Sequence, residues 1–174
     1  MQASNKKTYF EQLMLPHLDA AFNLARWLTR NDQDAEDVVQ EAYLRAFKSF
    51  GTFHGTASRA WLLTIVRNTC YSWLQRNQQH AEQFTFDDEL DRIDCDGPNA
   101  EKLLLEQADY ELLNEALNEL PLEFREAFVL RELEDMAYKE IAQITHVPLG
   151  TVMSRLARAR KRLQQSLAKR MNGA

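Results

Sequence analysis

Apolar residues that return every three or four positions constrain this chain more than any other feature. Val152, Leu156, Ala159, Leu163 and Leu167 follow one another at spacings of four, three, four and four. Leu112, Leu113, Ala116, Leu117 and Leu120 do the same, as do Ala35, Val38, Val39, Ala42, Ala46 and Phe47. A strand puts every second residue on one face, so it would scatter these positions, whereas an α-helix gathers each set into one stripe. Breakers are scarce: five glycines and four prolines in 174 residues. With hydrophobic residues at 45% the chain is too apolar to stay disordered. An all-α fold follows.

Punctuation divides the helices. A first helical region spans about Tyr9 to Arg30, with Leu13, Leu18, Phe22, Ala25 and Trp27 as buried candidates and a kink or later start at Pro16. Asn31-Asp32 breaks it and offers a cap for a second helix, about Gln33 to Lys48. Ser49 to Thr56 is a loop with two glycines and two aromatics, and Ser58 opens a third helix reaching about Gln78, with Trp61, Ile65 and Trp73 as core. Gln79 to Ala100 has no periodicity and ends near Gly97-Pro98, which marks a linker. Periodicity resumes before Leu112 and stops at Pro121; helices over about Leu122–Leu133, Tyr138–Thr145 and Pro148–Lys169 complete the chain. The expectation is two small helical domains, 1–80 and 108–174, joined by an acidic linker over 81–107.

Charge is unevenly spread. The net value is −5, low for a free-standing DNA binder. Yet Gly150 to Arg170 carries Arg155, Arg158, Arg160, Lys161, Arg162, Lys169 and Arg170 with no acidic residue. Between Glu82 and Glu111 eleven acidic residues face only Arg92 and Lys102. A basic nucleic-acid face and a separate solvated acidic spacer account for the asymmetry.

Several function classes find no footing. No run approaches the roughly 18 apolar residues of a membrane span, so a cytoplasmic location is expected. Cys70 and Cys95 form no C-x-x-C pair, and Cys95 sits between Asp94 and Asp96, which disfavours a thiolate. Read as a calcium loop with Gly97 sixth, the acidic run puts Arg92 first and Leu103 twelfth, and the ligand set fails. His17, His54, His80 and His146 are scattered, and no phosphate-binding glycine loop or nucleophile–base pair occurs. No enzyme, cofactor, metal or small-molecule substrate is expected.

The strongest local signal is a helix-turn-helix: Tyr138 to Thr145, the turn His146-Val147-Pro148-Leu149, then Gly150-Thr151-Val152-Met153-Ser154-Arg155-Leu156. Two helices crossing steeply need a small residue where they touch, and Ala142 supplies one. In the second helix, Thr151, Ser154, Arg155, Arg158 and Arg162 form a stripe apart from the apolar one, offering hydroxyl and guanidinium donors to a DNA groove. A solvated basic face is the plainer reading of the arginines alone; the turn and the small residue favour DNA binding.

Two motif sets in order carry a wider resemblance. The first is Asp34-Ala35-Glu36-Asp37-Val38-Val39-Gln40-Glu41 with Arg59-Ala60-Trp61-Leu62-Leu63-Thr64-Ile65-Val66-Arg67-Asn68-Thr69. The second is Leu120-Pro121, Arg125, Glu140-Ile141-Ala142 and Gly150-Thr151-Val152 through Arg158-Ala159-Arg160. Over nearly its whole length the chain resembles the extracytoplasmic-function (ECF) group of bacterial sigma factors, built from regions 2 and 4. On the second helix, Asp37, Gln40, Glu41 and Leu44 form an outward stripe with an acidic edge and one apolar anchor. The resemblance implies that this stripe docks on the clamp coiled coil of the largest polymerase subunit. It also implies that Phe53, His54, Gly55 and Thr56, with Thr64, Asn68 and Ser72, read the melted minus-ten element; flipped bases need apolar walls and amide or hydroxyl partners. Thr151, Ser154, Arg155, Arg158 and Arg162 then read the minus-thirty-five element. Partners implied are core RNA polymerase, promoter DNA and an anti-sigma factor. Many relatives carry a basic residue at the position of Met153, and extra arginines where Tyr71 to Gln75 stand here. A stand-alone helix-turn-helix regulator is the alternative, but it leaves the N-terminal motifs unexplained.

Overall fold

The structure, a computed structural model, describes residues 2–77 and 110–172. The expected linker at 81–107, with Cys95 and the acidic run, lies outside the described residues, as do His80 and the expected helix end at Gln78. Among the described residues every regular element is helical: α1 (Gln2–Met14), α2 (Leu18–Thr29), α3 (Asp32–Lys48), α4 (Ser58–Asn77), α5 (Tyr110–Glu119), α6 (Leu122–Phe128), α7 (Tyr138–Thr145) and α8 (Leu149–Asn172). None of them is long and apolar enough to cross a membrane. Two compact units emerge, one of 2–77 with Lys139–His146, the other of 110–138 with 147–172.

In the first unit Pro16 ends α1 in a 3-10 turn over Leu15–His17, and α2 starts immediately after. Arg30 then takes a left-handed conformation (φ 61°) and its N–H returns to the Arg26 carbonyl at 2.7 Å, which closes α2. The Asn31 side chain accepts from the Asp34 N–H at 2.9 Å and starts α3. Helices α2, α3 and α4 pack on one another around Leu24, Ala25, Leu28, Ala35, Val38, Ala42, Leu62, Leu63 and Val66. The Tyr43 hydroxyl donates to the Met14 carbonyl at 2.8 Å, tying α3 to the end of α1, and burial pushes its pKa up to about 12.

Some core expectations need correction. Leu18 is 43% exposed, because it opens α2 straight out of the 3-10 turn. Leu13, Phe22 and Phe47 are only half-buried. So are Trp61, Ile65 and Trp73, since the buried row of α4 runs through Ala60, Leu62, Leu63, Val66, Thr69, Cys70 and Leu74 and leaves them on its flank.

In the second unit α6 lies against α8, with α5 also on α8. The single helix expected over Leu122–Leu133 is α-helical only to Phe128 and widens into a π-helical turn over Val129–Leu133. The buried row of α8 is Val152, Leu156, Ala159, Leu163 and Leu167, as the spacing predicts. Arg125 is 2% exposed; its Nη1 donates to the Leu120 carbonyl at 2.7 Å and the Asn118 carbonyl at 3.4 Å, satisfying groups at the end of α5. Ion pairs border the apolar contact: Arg155 with Glu123, Arg160 with Glu132, and Arg170 with Glu115 and Glu119. Surface pairs contribute about 0–1 kcal/mol each, a buried Phe or Leu about 1.5–3, so the apolar row holds the unit and the pairs orient it.

Candidate functional site

The candidate residues lie on three surfaces: α3, the loop after it with one face of α4, and α8. On α3, turning each residue by about 100° puts the buried row Ala35, Val38, Val39, Ala42 and Ala46 on one side and Asp37, Gln40, Glu41 and Leu44 directly opposite. Asp37 and Gln40 are exposed, and Leu44 keeps 63% of its surface in solvent. Glu41 behaves differently: Arg45 reaches it at 2.8 Å and Arg76 from α4 at 3.4 Å. The face is therefore an apolar anchor beside open Asp37 and a carboxylate shared by two arginines.

The second surface follows α3. Phe50 is buried inside a ring cluster with Tyr9, Phe10, Phe53 and Trp61, at centroid distances of 5.6, 5.2, 6.1 and 6.4 Å. Phe53 stacks on Phe50 and lies 5.2 Å from Trp61, so it forms the rim of that cluster. His54, Gly55 and Thr56 make the exposed tip. Gly55 has φ 109°, which a side chain would strain, so glycine is required for the turn itself. On α4, Thr64, Asn68 and Ser72 succeed each other every fourth residue and are all half-exposed. The Thr64 hydroxyl donates to the Ala60 carbonyl at 2.8 Å, while the amide oxygen of Asn68 accepts from Arg67 at 3.5 Å. Arg67 also lies over the Tyr71 ring, 3.8 Å from its centroid. The loop rim and this row carry ring, amide and hydroxyl groups, the kinds that hold unpaired bases.

The third surface is α8. His146 adopts a left-handed conformation (φ 59°) in the turn, and the Pro148 carbonyl accepts from the N–H groups of Thr151 and Val152. No acidic residue occupies the first turn, so the positive end of the helix dipole is not neutralised there. The arginine stripe does not stand open. Arg155 has a side chain only 12% exposed, held by Glu123 at 3.4 Å, and Arg162 lies over the Phe124 ring at 5.4 Å. Arg158 and Thr151 are half-buried, and Ser154 alone of the stripe is exposed.

Comparison with known proteins matches the two halves of the chain in order. The family described as Sigma-70 region 2 matches residues 13–80, and that described as Sigma-70, region 4 matches residues 110–163. An ECF RNA polymerase sigma-E factor of Haemophilus influenzae is 33% identical over 83% of this chain and 79% of its own length. The chain belongs to the ECF RNA polymerase sigma factors. It is 34% identical to the ECF RNA polymerase sigma factor SigE of Mycolicibacterium smegmatis over 92% of this chain, which spans 62% of that relative's length. Among solved structures it resembles the sigma factor RpoE of Bartonella quintana, crystallised with the anti-sigma factor NepR, at 30% identity and a TM-score of 0.70 over 91% of this chain and 96% of that one. As a sigma factor it directs promoter-specific transcription initiation by RNA polymerase. A stand-alone helix-turn-helix regulator is not favoured, because the relatives match both halves.

Within this sigma factor the geometry gathers Asp37, Gln40, Glu41 and Leu44 on one face of α3 and gathers Phe53 with His54, Gly55 and Thr56 at one loop. Of the exposed row of α8, sequence reasoning named only Ser154 as a site residue. Gly150, Met153, Ser154 and Lys161 are exposed and Ala157 half-exposed. Their spacing carries the signal, since these positions fall outside the apolar stripe of the same helix.

Proposed function

We propose that residues 1–80 form a region 2 domain that docks on core polymerase and holds the melted minus-ten element, that 81–107 act as an acidic tether, and that 108–174 form a region 4 domain reading the minus-thirty-five element. Asp37, Gln40, Glu41 and Leu44 are the docking residues. Phe53, His54, Gly55, Thr56, Thr64, Asn68 and Ser72 serve the minus-ten bases. Thr151, Ser154, Arg155, Arg158 and Arg162 face the minus-thirty-five duplex. The observation that carries this reading is Leu44: a leucine 63% exposed beside Asp37 and Gln40, opposite a fully apolar helix face, has no role in folding and is suited to a protein contact.

Half-burial of Arg155, Arg158 and Arg162 fits positioned contacts more than long-range attraction, which a net charge of −5 would oppose in any case. The proposed role is non-enzymatic, with activity exercised in the cytoplasm, where polymerase and promoter are. An anti-sigma protein is the proposed restraint, by likeness to the relative crystallised with one. The test is run-off transcription with core enzyme on a template carrying both elements. Altering either element should abolish the product made by this chain, and altered templates that transcribe as well as the original would refute the assignment.

A further inference from the structure

The exposed row of α8 has an unexpected chemistry. Gly150, Met153, Ser154, Ala157 and Lys161 fall within an arc of roughly 100° outside the buried row, with Met153 at its edge. Met153 is its one long side chain in the first two turns of the helix, with Lys161 two turns further on, and keeps 50% of its surface exposed. Its neighbours on the arc are small: Gly150 has no side chain, and a Cβ added there would meet nothing within 4 Å. The adjacent guanidinium groups are directed elsewhere, Arg155 to Glu123 and Arg160 to Glu132. The most prominent group at the start of this helix is thus a flexible thioether that donates no hydrogen bond.

In the major groove a guanine presents only acceptors, which a methionine cannot satisfy, whereas a thymine presents a C5 methyl that an apolar side chain can cover. We propose that Met153 is a specificity-determining residue of the minus-thirty-five contact and selects a thymine by packing on its methyl group, with the Ser154 hydroxyl beside it. This inference rests on the reading of α8 as the minus-thirty-five helix. Basic residues at the corresponding position would favour guanine, so this chain would recognise a promoter set distinct from relatives that carry them.

The experiment uses the full chain assembled with core polymerase, on promoter duplexes in which each thymine of the minus-thirty-five element is replaced in turn by uracil. That change deletes one methyl and nothing else. At one position the wild type should lose about three- to fivefold in occupancy, the size expected for one buried methyl. Met153→Ala should lose nothing further at that position, and Met153→Leu should stay methyl-sensitive. Because Met153 is exposed, both variants should keep the wild-type helical circular dichroism and melting temperature. A wild type indifferent to uracil at every position would overturn the proposal, including the case in which Met153 contacts a protein instead. So would a Met153→Ala variant as methyl-sensitive as the wild type. A scrambled minus-thirty-five element separates the two readings. If scrambling lowers occupancy but the uracil scan is flat, Met153 is misassigned and α8 still reads the element; if scrambling has no effect, both fail.

Discussion

Helices α3 and α8 carry the same kind of pattern, an apolar stripe with a polar stripe elsewhere, and the structure treats the two polar stripes differently. On α3 the polar stripe lies roughly 180° from the core row, so Asp37, Gln40 and Leu44 stand in solvent. On α8 the arginine stripe lies only roughly 110° from it. Side chains that long, on the flank of a buried row, fold along the neighbouring helix and meet what it offers: Glu123 for Arg155 and the Phe124 ring for Arg162. A stripe opposite the core is a surface; a stripe beside the core is partly an interface within the fold. Angular separation from the apolar row, together with the partners that the neighbouring helix offers, decides which.

The largest effect that would sharpen this contrast belongs to α3. Leu44→Asp should weaken binding to core polymerase by about 30-fold or more, a hot-spot-sized loss, and leave the melting temperature unchanged because Leu44 contributes nothing to the core. A titration of labelled chain with core enzyme, alongside thermal melting, reads both. A melting temperature that falls with the affinity would move Leu44 into the fold.

A smaller effect is expected on α8. Glu123→Gln removes the partner of Arg155 and should lower stability by about 1 kcal/mol, while freeing a cation to approach phosphate. Non-specific DNA binding by the free chain should then rise and its salt dependence steepen by about one ion. Unchanged stability and unchanged salt dependence would mean that Glu123 and Arg155 do not restrain each other.

The two units should also part company in acid, with the smallest effects. His17 bonds the Ser58 hydroxyl at 2.9 Å; burial first, and the Arg59 charge second, lower its pKa from 6.5. The unfolded chain takes up that proton at the ordinary value and the folded chain only at lower pH, so this contribution is present above about pH 6.5 and fades as pH falls below it. In the second unit the hydrogen bond from Arg170, foremost, holds Glu119 below its usual 4.5, so its contribution survives to lower pH and fades only below that value. Thermal melts from pH 7 to pH 4 should show His17→Gln flattening the upper part of the profile and Glu119→Gln the lower part.

Most of the fold was legible because helix punctuation is chemical. Asn31 announced the start of α3 through its side-chain oxygen, Pro16 and Pro121 marked ends, and the α8 row from Val152 to Leu167 was buried as spaced. Half-buried Trp61 and Trp73 were harder to foresee, since size and apolarity do not tell which flank of α4 a ring covers. The π-helical widening after Phe128 leaves no mark in periodicity. At the candidate sites, exposure of Leu44 could be read from position alone. The restraint on Arg155 could not, because Glu123 lies 32 residues away, on another helix.

On the proposed assignment, this sigma factor recognises a promoter only once polymerase sets its two proposed reading surfaces in place. A net charge of −5 gives the free chain little long-range attraction to DNA. The arginines of α8, partly buried and engaged within the fold, add little more, and docking of one domain raises the effective concentration of the other. The most direct measurement is a band-shift titration of promoter duplex with the full chain, at one fixed salt concentration, with and without core enzyme. The free chain should bind weakly and without sequence preference, and binding in the presence of polymerase should be tight and sequence-specific. Tight, specific binding by the free chain, unchanged by polymerase, would contradict the assignment.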